Sequence, residues 1–170
     1  REPDEPLARL LDHAVALGPR LGPILYQIPP QWFPDRERLE TFLAALPSSP
    51  PAATTTRLTH VLEVRDPRGY EPWVIELLTA YGVSLCVHDM PGSQAPRLAI
   101  GPIVYVRLHG FGAKYGGSYP TEVLGEFVHA GAHVAAAEPG DLVRRQLRRV
   151  EPLVRHHADV ALQDVNLIHP

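Results

Sequence analysis

Cysteine is nearly missing from the chain: Cys86 stands alone, which excludes an internal disulfide framework and a cysteine-built zinc site. No apolar run approaches the roughly 20 residues needed to span a bilayer. The opening Arg1-Glu-Pro-Asp-Glu-Pro6 is polar and acidic, unlike a secretory signal, so the expected setting is cytoplasmic with no membrane association. No Walker-type or dinucleotide-type glycine loop is present, and no Gly-x-Ser-x-Gly elbow. Nucleotide-driven and serine-hydrolase chemistry are therefore not expected. A net charge of −3 gives no general attraction to nucleic acid or anionic lipid. The one basic cluster, Arg144-Arg145-Gln146-Leu147-Arg148-Arg149, lacks interleaved aromatics and reads first as a solvated helix face.

What is present reads as one globular domain. At 170 residues, 45% apolar and 21% charged, the composition suits a single filled core. Nineteen prolines, roughly twice the usual share, punctuate the chain at loops and helix starts. Leu7, Leu10, Leu11, Ala14, Val15 and Leu17 recur with helical spacing until Gly18-Pro19. The short run Ile24–Ile28, between Gly22-Pro23 and Pro29-Pro30, predicts a buried strand. Asp35 is placed to cap a helix with the stripe Leu39, Phe42, Leu43 and Leu46, and Pro47–Thr56 reads as a mobile loop.

A second strand is expected over Thr59–Val64, followed by a helix with Pro72 at its first position. Its expected apolar face is Trp73, Leu77, Leu78 and Tyr81, and Gly82 stops it. Val83–His88 and Ile103–Leu108 predict two more strands. A helix from about Pro120 is expected to bury Val123, Leu124, Phe127 and Val128, and a last one to run from about Asp141 through Val154. Helices alternating with short apolar strands favour a parallel sheet with right-handed crossovers. Four strands suit either a small open sheet or part of a (β/α)₈ barrel, for which this chain is short.

Several strings point further. Leu21-Gly-Pro-Ile-Leu-Tyr-Gln-Ile-Pro-Pro30 resembles a signature of the YecE-like family, a TIM-barrel family of unknown function. Glu63-Val-Arg65 is similar to that family's next strand end, and Asp89 to the acidic residue closing the following strand. Val104-Tyr-Val-Arg-Leu-His-Gly110, with Tyr115 and Tyr119 after it, resembles the family's most recognisable stretch. The resemblance covers roughly residues 5–129, within a single α/β domain over 1–170. It implies a partial (β/α)₈ TIM-barrel-like fold of four parallel strands with flanking helices, lacking the first strands of the barrel. Residues 131–170 then form a divergent C-terminal helical segment. The family implies no settled activity.

Residues two apart on a strand share a face. Glu63 and Arg65 therefore point one way, as do Tyr105, Arg107 and His109; Ser84, Cys86 and His88 share a face opposite Asp89. Ligands of parallel α/β sheets bind outside the carboxyl ends of the strands. That edge carries Gln27, Glu63, Arg65, His88, Asp89, Arg107 and His109. The bland reading is an ion-paired sheet end that binds nothing. Two cationic donors on one face instead suit a phosphate or carboxylate.

In the functional reading Glu63 is a general acid or base and His109 its partner, while Arg65 and Arg107 clamp the anion. Gln27, Asp89 and Tyr115 complete the substrate contacts. Tyr115 and Tyr119 flank Gly116-Gly117, which suggests a flexible loop over the strand ends. No HxH or HExxH spacing supports a metal among Glu63, His88, Asp89 and His109, and the sequence names no cofactor. Cys86, inside an apolar strand, reads as an inert core thiol. The expected function is hydrolysis or lyase-type chemistry on a phosphate- or carboxylate-bearing substrate. The alternative is a non-catalytic module binding nucleic acid or protein by the same edge. Part of a barrel would expose strand edges and an inner face including Leu25, Val61, Cys86 and Tyr105. Covering it predicts a homodimer, or residues 131–170 folding back through Leu142, Val143, Val150 and Leu153.

Overall fold

Breakers and short apolar runs set the strands. The computed structural model describes residues 3–48, 57–90, 92–113 and 115–135. Strand β1, Ile24–Ile28, lies between the two proline-containing breaks that frame it. Strands β2, His60–Val64, and β3, Ser84–Met90, are buried at every position. A two-residue strand β4, Ser93–Gln94, turns back against the end of β3, and β5 spans Tyr105–Leu108.

β1 pairs with β2, β2 with β3 and β3 with β5, all parallel, so the four main strands stand side by side in chain order. This is the order and direction expected from the sequence. The β4 hairpin is the antiparallel exception, and the signal of period 2 is too short at two residues to have announced it. The sheet is open: among the described residues, β1 and β5 do not pair with each other.

Helices cover one face of this sheet. Helix α1, Asp4–Ala14, runs into a 3₁₀ segment Val15–Arg20 that breaks at Gly18, where φ is +54°. Helix α2, Arg36–Ala44, starts where Asp35 accepts the Arg38 N–H at 2.9 Å, satisfying an otherwise orphaned donor of the first turn. Helix α3, Pro72–Ala80, has proline at its first position and ends before Gly82, where φ is +63°. Leu39 and Leu43 of α2 pack with Leu62, Val64, Leu85 and the α3 residues Val74, Ile75 and Leu78.

Two helix faces differ from expectation. On α3 the buried stripe is Val74, Ile75, Leu77 and Leu78, while Tyr81 is exposed and Trp73 half-buried. The 74, 75, 78 spacing keeps three aliphatic side chains over the sheet, and Trp73 turns aside to Phe33, 6.0 Å between ring centres. On helix α4, Thr121–Ala135, Phe127 is buried but Leu124 is 40% and Val128 70% exposed. The Arg97 guanidinium sits over the Phe127 ring at 4.6 Å, so one aromatic residue seats this part of the helix. Residues 49–56 of the expected loop Pro47–Thr56, and the whole expected helix 141–154, lie outside the described residues. No described helix is long and apolar enough to cross a membrane.

Candidate functional site

Register decides which side chains can meet. Gln27 pairs with Glu63, Cys86 with Tyr105, and His88 with Arg107. Leu62, Val64 and Leu85 face the helices, so alternation places Gln27, Glu63, Cys86, His88, Tyr105 and Arg107 on the opposite face. Arg65 follows one residue past the end of β2, and His109 one past the end of β5.

Glu63 is fully buried on this face. Arg65 Nε donates to its Oε1 at 2.8 Å, and Arg107 Nη1 donates to its Oε2. Gln27 Oε1 accepts from both guanidinium groups, at 3.4 Å from Arg65 and 3.1 Å from Arg107. Arg65 also lays Nη1 against Met90 Sδ at 3.3 Å. Burial alone would raise the Glu63 carboxyl. The hydrogen bonds and positive charge of Arg107 and Arg65 outweigh that and hold it below the usual carboxylate range. Two guanidinium groups face one carboxylate, so the cluster keeps an unbalanced positive charge. The Arg65 and Arg107 side chains remain 15% and 33% exposed.

Cys86 lies inside the cluster, with Sγ 3.9 Å from Glu63 Oε2. Burial, followed by the nearby Glu63 charge, pushes its thiol up to about 12, so it carries no nucleophile at neutral pH.

Beyond the arginines stand two imidazoles. His88 is 1% and His109 6% exposed, with ring centres 6.5 Å apart in an edge-on arrangement. The Nδ1 atom of each is buried and has no hydrogen-bond partner among the described residues. A buried unpaired polar atom costs about 1–3 kcal/mol, which a fold seldom retains twice in one place without use. Burial pushes the His88 pKa down, and Arg65 and His109 add to this against the opposing pull of Glu63.

The loop after β5 closes tightly over His109. Gly110 has φ +108°, and a Cβ there would run into the carbonyl of Ala113 and the backbone of Gly116. Glycine is required at that position. Tyr115 lies beside His109, 6.2 Å between ring centres, and is 74% exposed.

Of the residues singled out in the sequence, the structure therefore joins Gln27, Glu63, Arg65 and Arg107 by hydrogen bonds. It sets His109 between His88 and Tyr115 in a second group. Asp89 stands apart on the helix-facing side of β3, where its Oδ1 accepts from Gln94 Nε2 at 2.7 Å. Sequence reasoning placed His88 at the strand-end edge but gave it no part in catalysis or substrate binding, and did not notice Ser93, whose hydroxyl meets His88 Nε2 at 3.2 Å. The available signal was the Gly92 turn after β3, with φ +82°, which folds Ser93 back onto the strand end.

Among the described residues, no group of three or more His, Cys, Asp or Glu side chains is arranged to hold a metal ion. A groove of about 880 Å³ runs along the outer edge of β1, lined by Tyr26, Ile28, Trp32, Arg38 and Phe42 among others. It shares only Gln27 with the ionic cluster, so its size says little about where chemistry occurs.

No curated protein and no solved structure matches the chain. A family model does: the one described as "Protein of unknown function DUF72" matches residues 1–160, in keeping with the YecE-like resemblance and reaching past the segment that carried it. The strands, the buried carboxylate and both arginines all fall inside that match, and the chain belongs to the DUF72 family.

Proposed function

We propose that the carboxyl ends of β2, β3 and β5 bind the phosphate or carboxylate group of a small substrate, with Arg65 and Arg107 as the clamp. The observation that carries this reading is the sharing of one fully buried carboxylate, Glu63, between two arginines that stay partly exposed. Such a carboxylate aligns both guanidinium groups without neutralising them, and oriented guanidinium groups match oxyanions in bidentate fashion. Glu63, ionised and committed to both arginines, is a poor proton donor. It fixes the clamp rather than acting as the acid. Gln27 steadies the two guanidinium groups from β1, and His109 supplies the acid–base function beside them. The reaction class is hydrolysis or lyase-type cleavage of an anionic substrate. The same reading takes the four parallel strands as an arc of a (β/α)₈ barrel, whose active sites lie at this end of the strands.

Calorimetric titration with inorganic phosphate and with citrate tests the clamp. Binding that weakens at least about tenfold in Arg107→Gln, as expected for a lost charged hydrogen bond, supports the reading. Binding unchanged in that variant defeats it. If a single-stranded oligonucleotide binds in an Arg107-dependent manner and neither small anion does, the edge is a binding module instead.

A further inference from the structure

The ligand of this site can be narrowed from the hydrogen atoms around His88. The Ser93 hydroxyl lies 3.3 Å from the Arg65 carbonyl oxygen and 3.2 Å from His88 Nε2. A carbonyl oxygen only accepts, so the single Ser93 proton is donated to Arg65, and the Ser93 oxygen accepts from His88 Nε2–H. This fixes the imidazole tautomer. Nδ1 is left without a proton, as a buried acceptor with no partner among the described residues.

The same ring shares its register position with Arg107 and lies within reach of the Arg65 charge, the two arms of the proposed clamp. A bare acceptor beside a cationic clamp is complementary to a molecule that carries an anion and an O–H donor together. We infer that the site takes a hydroxylated anion, a hydroxy acid or the phosphate ester of a polyol, and that His88 Nδ1 accepts a hydrogen bond from its hydroxyl group. The inference rests on the anion clamp and adds the second half of the recognition. Burial, joined by the Arg65 charge, keeps the imidazole neutral against the opposing pull of Glu63 and of a hydrogen bond to the Ser93 backbone, so the acceptor persists at neutral pH.

Matched pairs of probes test this: glycerate against propionate, and glycerol 3-phosphate against propyl phosphate. One hydrogen bond predicts that the hydroxylated member of at least one pair binds about three- to tenfold tighter. Which pair shows it tells carboxylate from phosphate. His88→Phe should erase that advantage, so that the two members of the pair bind equally within about twofold. Ser93→Ala, which releases the tautomer without touching the ring, should shrink it. Imidazole ¹H–¹⁵N correlation spectra of the unaltered protein should show His88 protonated at Nε2. Equal binding within both pairs, or a proton found on Nδ1, overturns the inference while the clamp stands. Failure of all four probes to bind overturns both.

Discussion

Glu63 and Arg107 form an ion pair across a strand that belongs to neither of them. Glu63 is on β2 and Arg107 on β5, and β3 runs between the two. Neighbouring strands are about 4.8 Å apart, so the arginine reaches over roughly twice that distance. Arg107 is level with His88 on β3 and reaches diagonally to a carboxylate that lies beside the small, buried Cys86.

The first prediction follows. Cys86→Leu fills the space beside the Glu63 carboxylate and separates the pair. Overpacking and the stranding of a buried carboxylate together should cost roughly 3 kcal/mol or more in urea unfolding. Cys86→Ser, which keeps the size and can donate to Glu63, should cost about 1 kcal/mol or less. Equal costs would mean that volume at this position does not matter to the pair.

The same cysteine gives a chemical test. With its thiol pushed up to about 12 by burial, Cys86 should not react with a disulfide reagent at pH 8 in the folded protein. One equivalent should react promptly in denaturant, since the chain has a single cysteine. Fast labelling of the native protein would contradict the burial.

Much of this fold was legible because its punctuation is local. Prolines and glycines bracket Ile24–Ile28, and Pro72 and Gly82 bracket α3, so those elements needed no tertiary information. Glu63, Arg65 and Arg107 were legible for another reason: charges at the ends of strands flanked by helices need partners. The faces of α3 and α4 were less legible, because Trp73 and Val128 are apolar wherever they point. Only the partner elements decide which apolar positions are covered. The β4 hairpin is invisible to periodicity at two residues, and with it Ser93 and the tautomer of His88. Those depend on a turn placing one hydroxyl, and no residue count conveys that.

Acid should expose the Glu63 pair. Its folded carboxyl pKa lies below the unfolded value, so its stabilisation is fully present above the ordinary carboxylate range, near pH 4.3, and is lost as pH falls through the folded value. At pH 7, Glu63→Gln should therefore unfold about 3 kcal/mol more easily, the typical cost of breaking a buried pair. The gap should narrow steadily below about pH 4. A gap that is constant down to pH 3 would show that the carboxylate is not held by the arginines.

Gly110→Ala tests the loop over His109. At φ +108° an alanine is strained, and its Cβ meets the Ala113 and Gly116 backbone. A loss of about 1–3 kcal/mol in thermal or urea unfolding is expected, together with weaker anion binding as the His109 end of the site shifts. An alanine variant as stable as the parent would place this turn elsewhere.

His88 titrates with the opposite sign to the carboxylate. Its folded pKa is lowered, first by burial, so the folded ring stays neutral while the ring in the unfolded chain takes a proton near pH 6.5. Between those two values the unfolded state binds more protons, and stability must fall as pH falls. The loss is at most about 1.4 kcal/mol for each pH unit in that window, and it stops once the folded ring also protonates. The other eight of the nine histidines contribute to any measured slope, so the informative quantity is a difference. Urea unfolding of the parent and of His88→Phe between pH 7.5 and pH 5 should give a steeper decline in the parent. Parallel curves would show that His88 is protonated as readily in the folded protein as in the unfolded chain. Its Nδ1 would then not be the neutral acceptor that the Ser93 contact implies.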